Sequence, residues 1–526
     1  MRAFKSVLAC GGVCLAAVIL IMPFPMLDQA ATSELWIMQA VQEMGRQFQL
    51  VPRLNGMDLL GQNPLQIMLL SLLPASAAWP HLVMIILGLA VAASVYLYAH
   101  LLWGRRAAVC AGLFTVSSLG FLQGYGLLNT AALPCAFFLW AYLIFSSAYL
   151  KAGNRNWYLP AYACILAAML TGGLELLVLF LCAVVLLVLL DLAPQRLTEI
   201  RPVIGLGLSI GAATIFYLIF RIGGSSSYAG GILWPGGHLG FFKALAYVFH
   251  AALPWLPLLV PAWLFTARPE EWEDWRTLLP AKIALVLVVV LLWTSGKNLS
   301  GYALLAAPPA GLLIGYWAGK GMRASDRLEI VRFAAFLCSA LILLAWPVVD
   351  LGRHPRMVPD LSMVHIILLA AAFAIVVVML FAVRGRRYAR AAVAGLLAVG
   401  VLAWQAPLIE RLLSPPAGYL ESIAQYQPLL VLEDDLVMRG CVGLTGAQPV
   451  VVKREFIPVG GEAYLAVATG GLKKLVRHLE GRMQASVVSW ITHGRTYALI
   501  RVAPRENQNP RAAPEHDQIP RDAQGI

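Results

Sequence analysis

SELWIMQAVQEMGRQFQLVPRLNGMDLLGQNP, residues 33–64, decides how the rest of the chain is read. It is the only long polar-amphipathic segment in the first four hundred residues, and it sits between one apolar span and a series of others. A segment so placed is a loop at a membrane surface, because irregular polar backbone cannot be left in hydrocarbon. It carries carboxylates (Glu34, Glu43, Asp58), guanidiniums (Arg46, Arg53) and aromatics (Trp36, Phe48). If the protein performs chemistry, this loop is where it is expected. Trp36, Ile37, Ala40, Val41 and Met44 recur at helical spacing and are expected to lie in the membrane interface. Glu34 and Asp28 are candidates for general base or metal ligand. A competing reading makes Ser33-Glu34 ordinary helix N-terminal residues, since both types satisfy or complement the free N–H groups there.

Composition supports the membrane reading. Of 526 residues, 60% are hydrophobic and 13% charged, with mean hydropathy +0.75; soluble domains carry about 25% charge. The formal net charge of +12 is the kind of excess that cytoplasmic loops of membrane proteins collect. Nucleic acid is not an expected partner, because no basic cluster is interleaved with stacking aromatics. The eight cysteines, at 10, 14, 110, 135, 164, 182, 338 and 441, imply neither a disulfide framework nor a zinc cluster. All but Cys441 lie in or beside apolar stretches, where cysteine behaves as a small hydrophobe.

A span needs about 20 apolar residues. About thirteen candidates follow along the chain: 5–26, 82–103, 107–124, 131–150, 157–172, 174–192, 202–221, 250–267, 280–295, 301–319, 331–349, 363–383 and 391–409. With a cytoplasmic N-terminus, the even-numbered spans end inside, at loops holding Arg105, Arg106, Lys151, Arg155, Arg196, Arg201, Arg276, Lys320, Arg323, Arg384 and Arg387. That is the positive-inside pattern. The loops 27–80, 125–130, 222–249, 296–300 and 350–362 then lie outside, and so does everything after residue 409. An uncleaved first span is favoured over a signal peptide, because no small-residue cleavage site precedes the polar loop.

The expected fold class is therefore an all-α polytopic membrane protein with a small C-terminal α/β domain. Residues 1–409 form the transmembrane domain, and 27–80 its first external loop with amphipathic helices. Residues 410–503 form the extracytoplasmic α/β domain. Within it LLVLEDD, PVVVKREF, AYLAVA and TYALIRVA read as strands, and LKKLVRHLEGRM as a helix. Residues 504–526, without apolar periodicity, read as a disordered tail.

Other residues could carry chemistry. Glu175, in LTGGLELLVLF, is nominally intramembrane, where a charge is costly and functional by default; alternatively it sits at headgroup level after the Gly172-Gly173 turn. Lys297 lies between two external ends and suits a lipid phosphate, or else snorkels. His250 ends an aromatic-rich stretch (225–255) that reads either as a substrate lid or as an interfacial belt. No Walker A loop, dinucleotide fingerprint, HExxH or GxSxG occurs.

The loop also carries a resemblance. SELWIMQAVQEMGRQFQLVPRLNGMDLLGQNPLQIMLL (33–70) resembles the first external loop of the aminoarabinose lipid A transferase family, relatives of the protein O-mannosyltransferases with the GT-C fold. Met44, Val51-Pro52-Arg53-Leu54-Asn55-Gly56 and Pro64-Leu65 stand at matching spacing. GLLNTAALPCAFF (126–138), ALPW (252–255) and GKNLSGYALLAAPP (296–309) are similar to later family segments in the same order. The resemblance implies a GT-C fold and the transfer of a sugar from a polyprenyl-phosphate donor to an acceptor outside the membrane, in the service of lipid A or cell-envelope glycan modification. An acidic residue of the first loop would act as base, and Arg53, Lys297 and Tyr302 would hold lipid and phosphate.

The same comparison shows substitutions. Ser33 replaces an Asp while Glu34 is kept. Trp36 replaces an Arg, Gly61-Gln62 a Glu-Lys, Asn63 a Pro and Asn129 an Asp. Thr171 or Gly172 replaces a Lys. Ser33, Gln62 and Asn129, together with Glu175 and His250, remain as residues that could line the substrate cavity. Ser, Gln and Asn hydrogen-bond but cannot be the base. The expectation is a membrane-bound glycosyltransferase at the cytoplasmic (inner) membrane. The alternative is a non-catalytic GT-C homologue that binds polyprenyl lipid or glycan, or supports an active protein partner. No cofactor is demanded by the sequence, although a divalent metal is compatible with it. The acceptor is not named by any residue.

Overall fold

The computed structural model describes residues 2–23, 35–46, 53–54, 57–58, 64–73, 78–151, 155–192, 240–265, 272–294, 297–320, 327–353, 363–385, 387–413, 422–423, 425–432, 438–439, 449–452, 463–469, 484–493 and 495–503, with isolated positions between 205 and 218. They fall into two compact units. The first is Met1–Asp28, Leu60–Arg353 and Ser362–Pro407; the second is Gln29–Leu59, His354–Leu361 and Leu408–Ile526.

The first unit is helical. In chain order its helices are α1 (Arg2–Ile21), α3 (Pro64–Ser71), α4 (Ala78–Trp103), α5 (Arg105–Val116), α6 (Leu119–Gly126), α7 (Ala132–Leu150), α8 (Tyr158–Gly172), α9 (Leu174–Leu190), α10 (Phe241–Ala252), α11 (Leu256–Phe265), α12 (Trp272–Thr294), α13 (Ala307–Lys320), α14 (Arg327–Arg353), α15 (Met363–Arg384) and α16 (Tyr388–Leu413). Leu35–Arg46, α2, belongs to the second unit. Among the described residues, four helices are long and apolar enough to cross a membrane, or six if each of two bent pairs is one span. The expected span 202–221 lies mostly outside the described residues. Large apolar side chains such as Ile367, Phe373, Val378 and Phe381 of α15 are exposed, as a surface facing lipid requires.

The bent pairs have local causes. α5 and α6 meet at 63°, where Ser117 Oγ donates to the Leu113 carbonyl and Ser118 Oγ to the Thr115 carbonyl, each at 2.6 Å. Serine hydroxyls that bond back to their own helix offer the backbone an alternative to continuing it. α10 and α11 meet at 101° at Leu253-Pro254-Trp255, where Pro254 has no N–H to give. Trp255 is fully buried, stands edge-on to Phe114 at 5.0 Å and donates from Nε1 to Ser117 Oγ at 2.8 Å. The tryptophan of ALPW is thus a wedge that locks one bend to the other.

The centre of this unit is the contact of α5 with α13. A Cβ on Gly311 would stand 2.1 Å from Thr115 Oγ1, and one on Gly315 would stand 2.4 Å from the Ala111 nitrogen. Small residues four apart let two backbones touch, the usual way helices associate where no hydrophobic driving force separates protein from lipid.

The second unit holds a five-stranded sheet. β3 (Leu429–Leu432), β4 (Val450–Val452), β5 (Ala463–Thr469), β6 (Gln484–His493) and β7 (Arg495–Ala503) lie in the order β4-β3-β5-β7-β6. β3 runs parallel to both neighbours, and β7 runs antiparallel to β5 and β6. Leu430, Leu465 and Ile500 are buried on one face, and Val431, Ala466 and Leu499 on the other. Burial on both faces explains why LLVL is continuously apolar instead of alternating. β6 has no counterpart among the expected strands. Its pairing with β7 is offset by a bulge between Val487 and Ser489, which breaks the two-residue period a sequence reading needs. The expected helix at LKKLVRHLEGRM and the expected tail fall outside the described residues.

Residues 33–59 of the opening loop also lie in this unit. β1 (Arg53–Leu54) pairs antiparallel with β2 (Met57–Asp58), so Arg53-Leu54 of VPRLNG is one arm of a hairpin; the sequence between the arms, Asn-Gly, is the strongest short hairpin signal. α2 packs on β1. Ile37, Ala40 and Met44 are buried by protein, which corrects the expectation that this stripe lies in the membrane interface. Arg439, itself buried, donates from Nη2 to the Leu54 carbonyl.

Candidate active site at one end of the helical unit

Four chain turns of the first unit meet at one end. They are the start of α3, the α6–α7 turn, the α8–α9 turn and the 3-10 segment Lys297–Ala306 that leads into α13. Gln66 of α3, 2% exposed, donates from Nε2 to the Asn129 carbonyl at 2.8 Å. Asn129 turns its own Oδ1 to the Ala131 N–H at 2.9 Å, a short side-chain turn that opens α7. Gly301 lies against this amide: a Cβ there would be 3.1 Å from Asn129 Oδ1. The next residue, Tyr302, is buried and donates to the Gly172 carbonyl at 2.9 Å. Gly172 in turn has no room for a Cβ, which would meet Leu176, Pro134 and the Tyr302 hydroxyl. At Gly173, φ is 112°, a conformation that glycine adopts without strain. That residue reverses α8 into α9 and brings Glu175 into the first turn of α9.

Two buried polar atoms at this end are left over. Gln66 Oε1 and Glu175 Oε2 have no hydrogen-bond partner among the described residues, and both side chains are more than nine-tenths buried. Buried polar groups in folded proteins are nearly always paired, so each such orphan needs an explanation. Thr171, by contrast, is spent on its own helix, donating to the Ala167 carbonyl at 2.7 Å.

The sequence-derived residues divide accordingly. Asn129 and Tyr302 are brought into one cluster through Gly301 and Gly172, and Glu175 stands one turn beyond it. His250 is exposed in the last turn of α10. Arg53 and Lys297 have described backbone only, Arg53 paired in register with Asp58 in the hairpin and Lys297 opening the 3-10 segment. Asp28, Ser33, Glu34 and Gln62 lie outside the described residues. Among the described residues, no group of three or more His, Cys, Asp or Glu could hold a metal. Gln66 is the residue sequence reasoning missed. A single amide in the otherwise apolar PLQIMLL was the available signal, since polar side chains in such a stretch are costly without a purpose.

The fold is shared with a solved protein. ArnT from Cupriavidus metallidurans in the apo state superposes with a TM-score of 0.67 at 17% identity, covering 95% of this chain and 98% of that chain. ArnT from the same organism bound to undecaprenyl phosphate gives 0.65 at 18% identity, covering 98% and 100%. The chain has the GT-C fold. It is a polytopic membrane protein, as the loop at 33–64 and the apolar helices imply. No protein-family model and no curated protein matches it.

Proposed function

We propose that this protein transfers a sugar from a polyprenyl-phosphate donor to a lipid, glycan or protein acceptor at the outer face of the cytoplasmic membrane. The observation that carries this reading is the end-to-end likeness to ArnT, solved bound to undecaprenyl phosphate, over 98% of this chain. A fold alone does not specify chemistry. The cluster adds support, because Gln66 Oε1 and Glu175 Oε2 are the buried acceptors that sugar hydroxyls would satisfy.

In this reading Glu34 removes the proton from the acceptor hydroxyl or amine, with Asp28 as the second carboxylate able to do so. The acceptor attacks the anomeric carbon, the bond from that carbon to the phosphate oxygen breaks, and polyprenyl phosphate leaves as the anion. Arg53 and Lys297 neutralise that anion as charge develops, the step at which fixed cations lower a barrier most. Tyr302, expected from the resemblance to hold lipid and phosphate, donates its hydroxyl to the Gly172 carbonyl and is given instead the role of bracing the α8–α9 turn. Ser33, Gln62, Asn129, Glu175 and His250 are the proposed cavity residues. No metal is needed for these steps. The N-terminus is cytoplasmic, and residues 410–503 form an extracytoplasmic domain.

The test uses membranes containing the protein and a radiolabelled polyprenyl-phosphate sugar. Removing a general base typically costs about 10²–10⁴ in rate, so Glu34→Gln or Asp28→Asn is expected to abolish label transfer. If the wild type transfers nothing, and neither substitution changes any measured property, the catalytic reading is wrong and the lipid-binding alternative takes its place.

A further inference from the structure

A run of uncompensated positive charge lies at the turn between α15 and α16. RGRRYAR, residues 384–390, holds four arginines in seven residues, and no Asp or Glu occurs between Asp360 and Glu410. Other basic segments are mixed. Arg268 and Arg276 flank Glu270, Glu271, Glu273 and Asp274, and Lys320, Arg323, Arg327 and Arg332 run among Asp326 and Glu329. Orienting a span needs only a bias of positive charge, and the mixed segments show how small a bias this chain uses elsewhere. Four arginines without a counter-charge go beyond that need.

The structure places these charges at a membrane boundary. α15 is apolar and long enough to cross a membrane over Ile366–Arg384, so Arg384 stands at a membrane surface whichever way the chain is oriented. The turn is compact: the Gly385 N–H donates to the Phe381 carbonyl at 3.0 Å and the Arg387 N–H to the Ala382 carbonyl at 2.8 Å. Tyr388 is buried, and its ring stacks on Phe336 of α14 at 5.5 Å, which pins the start of α16. Arg384, Arg387 and Arg390 are exposed, and none of them forms an ion pair among the described residues. Apolar surface continues directly from them. Phe381, one turn before Arg384, and Val393 and Leu397, one and two turns after Arg390, are each more than half exposed.

The turn is far from the Asn129 cluster. α16 carries the chain from Arg390 to Trp404, roughly 21 Å along the helix, and Trp404 Nε1 donates to the Ile19 carbonyl at 3.2 Å. Ile19 lies in the last turn of α1. Beside that turn, a Cβ on Gly88 would meet both Ile21 and Tyr125, and Tyr125 ends α6 just before Asn129. The arginines therefore stand at the end of the helical unit opposite the candidate site.

We propose that the α15–α16 turn binds an anionic phospholipid, its phosphate held by Arg384, Arg387 and Arg390 and its acyl chains lying along Phe381, Val393 and Leu397. Charge complementarity carries the proposal: guanidiniums match phosphate oxygens in pairs, and clusters of basic residues at the end of a span attract anionic headgroups. The exposed apolar side chains below the arginines select a lipid over a free phosphate. Position selects a phospholipid over a polyprenyl phosphate, whose proposed use is at the opposite end. Only that last choice rests on the transferase reading.

The test is lipid retention by the purified full-length protein in mild detergent, doped in turn with phosphatidylglycerol, phosphatidylcholine or undecaprenyl phosphate and read by native mass spectrometry. Wild type is expected to retain phosphatidylglycerol in preference to phosphatidylcholine. Arg387→Gln should weaken that retention about fivefold, the worth of one cation at an anionic headgroup. Arg384→Gln, Arg387→Gln and Arg390→Gln together should weaken it about a hundredfold, and the single substitution keeps the test valid should the triple variant fail to insert. Arg105→Gln with Arg106→Gln removes two exposed cations from another turn and should leave retention unchanged. An equal loss in that control would mean general surface charge and would overturn the site. Undiminished retention in the triple variant would overturn it too, leaving the arginines only to orient the spans. Displacement of phosphatidylglycerol by inorganic phosphate or by undecaprenyl phosphate would overturn the assignment to a phospholipid. No sugar transfer is measured, so failure here is separate from failure of the transferase reading.

Discussion

Glu175 and Asp191 stand at opposite ends of α9 and in opposite surroundings. Asp191, just past its last turn, accepts from the Tyr149 hydroxyl at 2.8 Å and pairs with Arg276 at 2.6 Å. Around it Trp103 Nε1 donates to Thr277 Oγ1 and Tyr142 to the Pro280 carbonyl, both at 2.9 Å, so the polar groups at that end tie α4, α7, α9 and α12 together. Glu175 is equally buried, but its Oε2 is unpartnered among the described residues, as is the neighbouring cluster's Gln66 Oε1. Two carboxylates that look alike in sequence thus divide into one that holds helices together and one left open for something else. Burial alone does not distinguish them; the ion pair with Arg276 and the hydrogen bond from Tyr149 do.

The comparison can be broken from either end. The largest effect is expected at the paired end. Arg276→Ala leaves Asp191 buried without its cation, and removing one partner of a buried pair costs about 3–5 kcal/mol. Thermal denaturation in detergent should show a clear fall, and an unchanged midpoint would mean the pair is no brace. Tyr302→Phe should cost about 1 kcal/mol, the net worth of one hydrogen bond, and should loosen the α8–α9 turn. Hydrogen exchange at Gly172 and Gly173 would report that change, and no increase there would remove Tyr302 from its bracing role. The smallest stability effect is expected for Gln66→Leu. It deletes the bond to the Asn129 carbonyl, but that oxygen keeps the Ala132 N–H, and the substitution also removes an unpartnered buried oxygen. The two changes nearly cancel, within about 1 kcal/mol, so the melting temperature should hold while donor binding weakens. A large loss of stability would show Gln66 to be structural.

The sequence exposed the helical architecture because long apolar runs have few other interpretations in a chain of this composition. It did not expose the hairpin of β1 and β2, because an Asn-Gly pair between two-residue strands is easily passed over inside a long polar loop. It did not expose the bends at Ser117-Ser118 and Leu253-Pro254, where the apolar runs continue while the helix axis turns. Nor did it expose Arg439, since a buried arginine held on the carbonyl of Leu54, 385 residues away, leaves no local pattern. The cluster was half legible. Glu175 stood out as a charge beside apolar spans, and Asn129 and Tyr302 only through the resemblance, whereas the orphaned oxygens exist only once four turns are packed together. The residues expected to do the chemistry, Glu34 and Asp28, were read from their place in the loop and from resemblance.

The most direct measurement of the central claim sets the two carboxylates of α9 side by side. Label transfer from a polyprenyl-phosphate sugar would be measured for Glu175→Gln and Asp191→Asn, each normalised to the amount of folded protein. Glu175→Gln is expected to fold as the wild type does and to lose activity about tenfold, the equivalent of about 1.4 kcal/mol at the reacting complex. Asp191→Asn should melt lower yet keep its activity per folded molecule. The reverse result, a destabilised Glu175→Gln with normal specific activity beside a stable but inactive Asp191→Asn, would contradict the assignment of the open end as the working end.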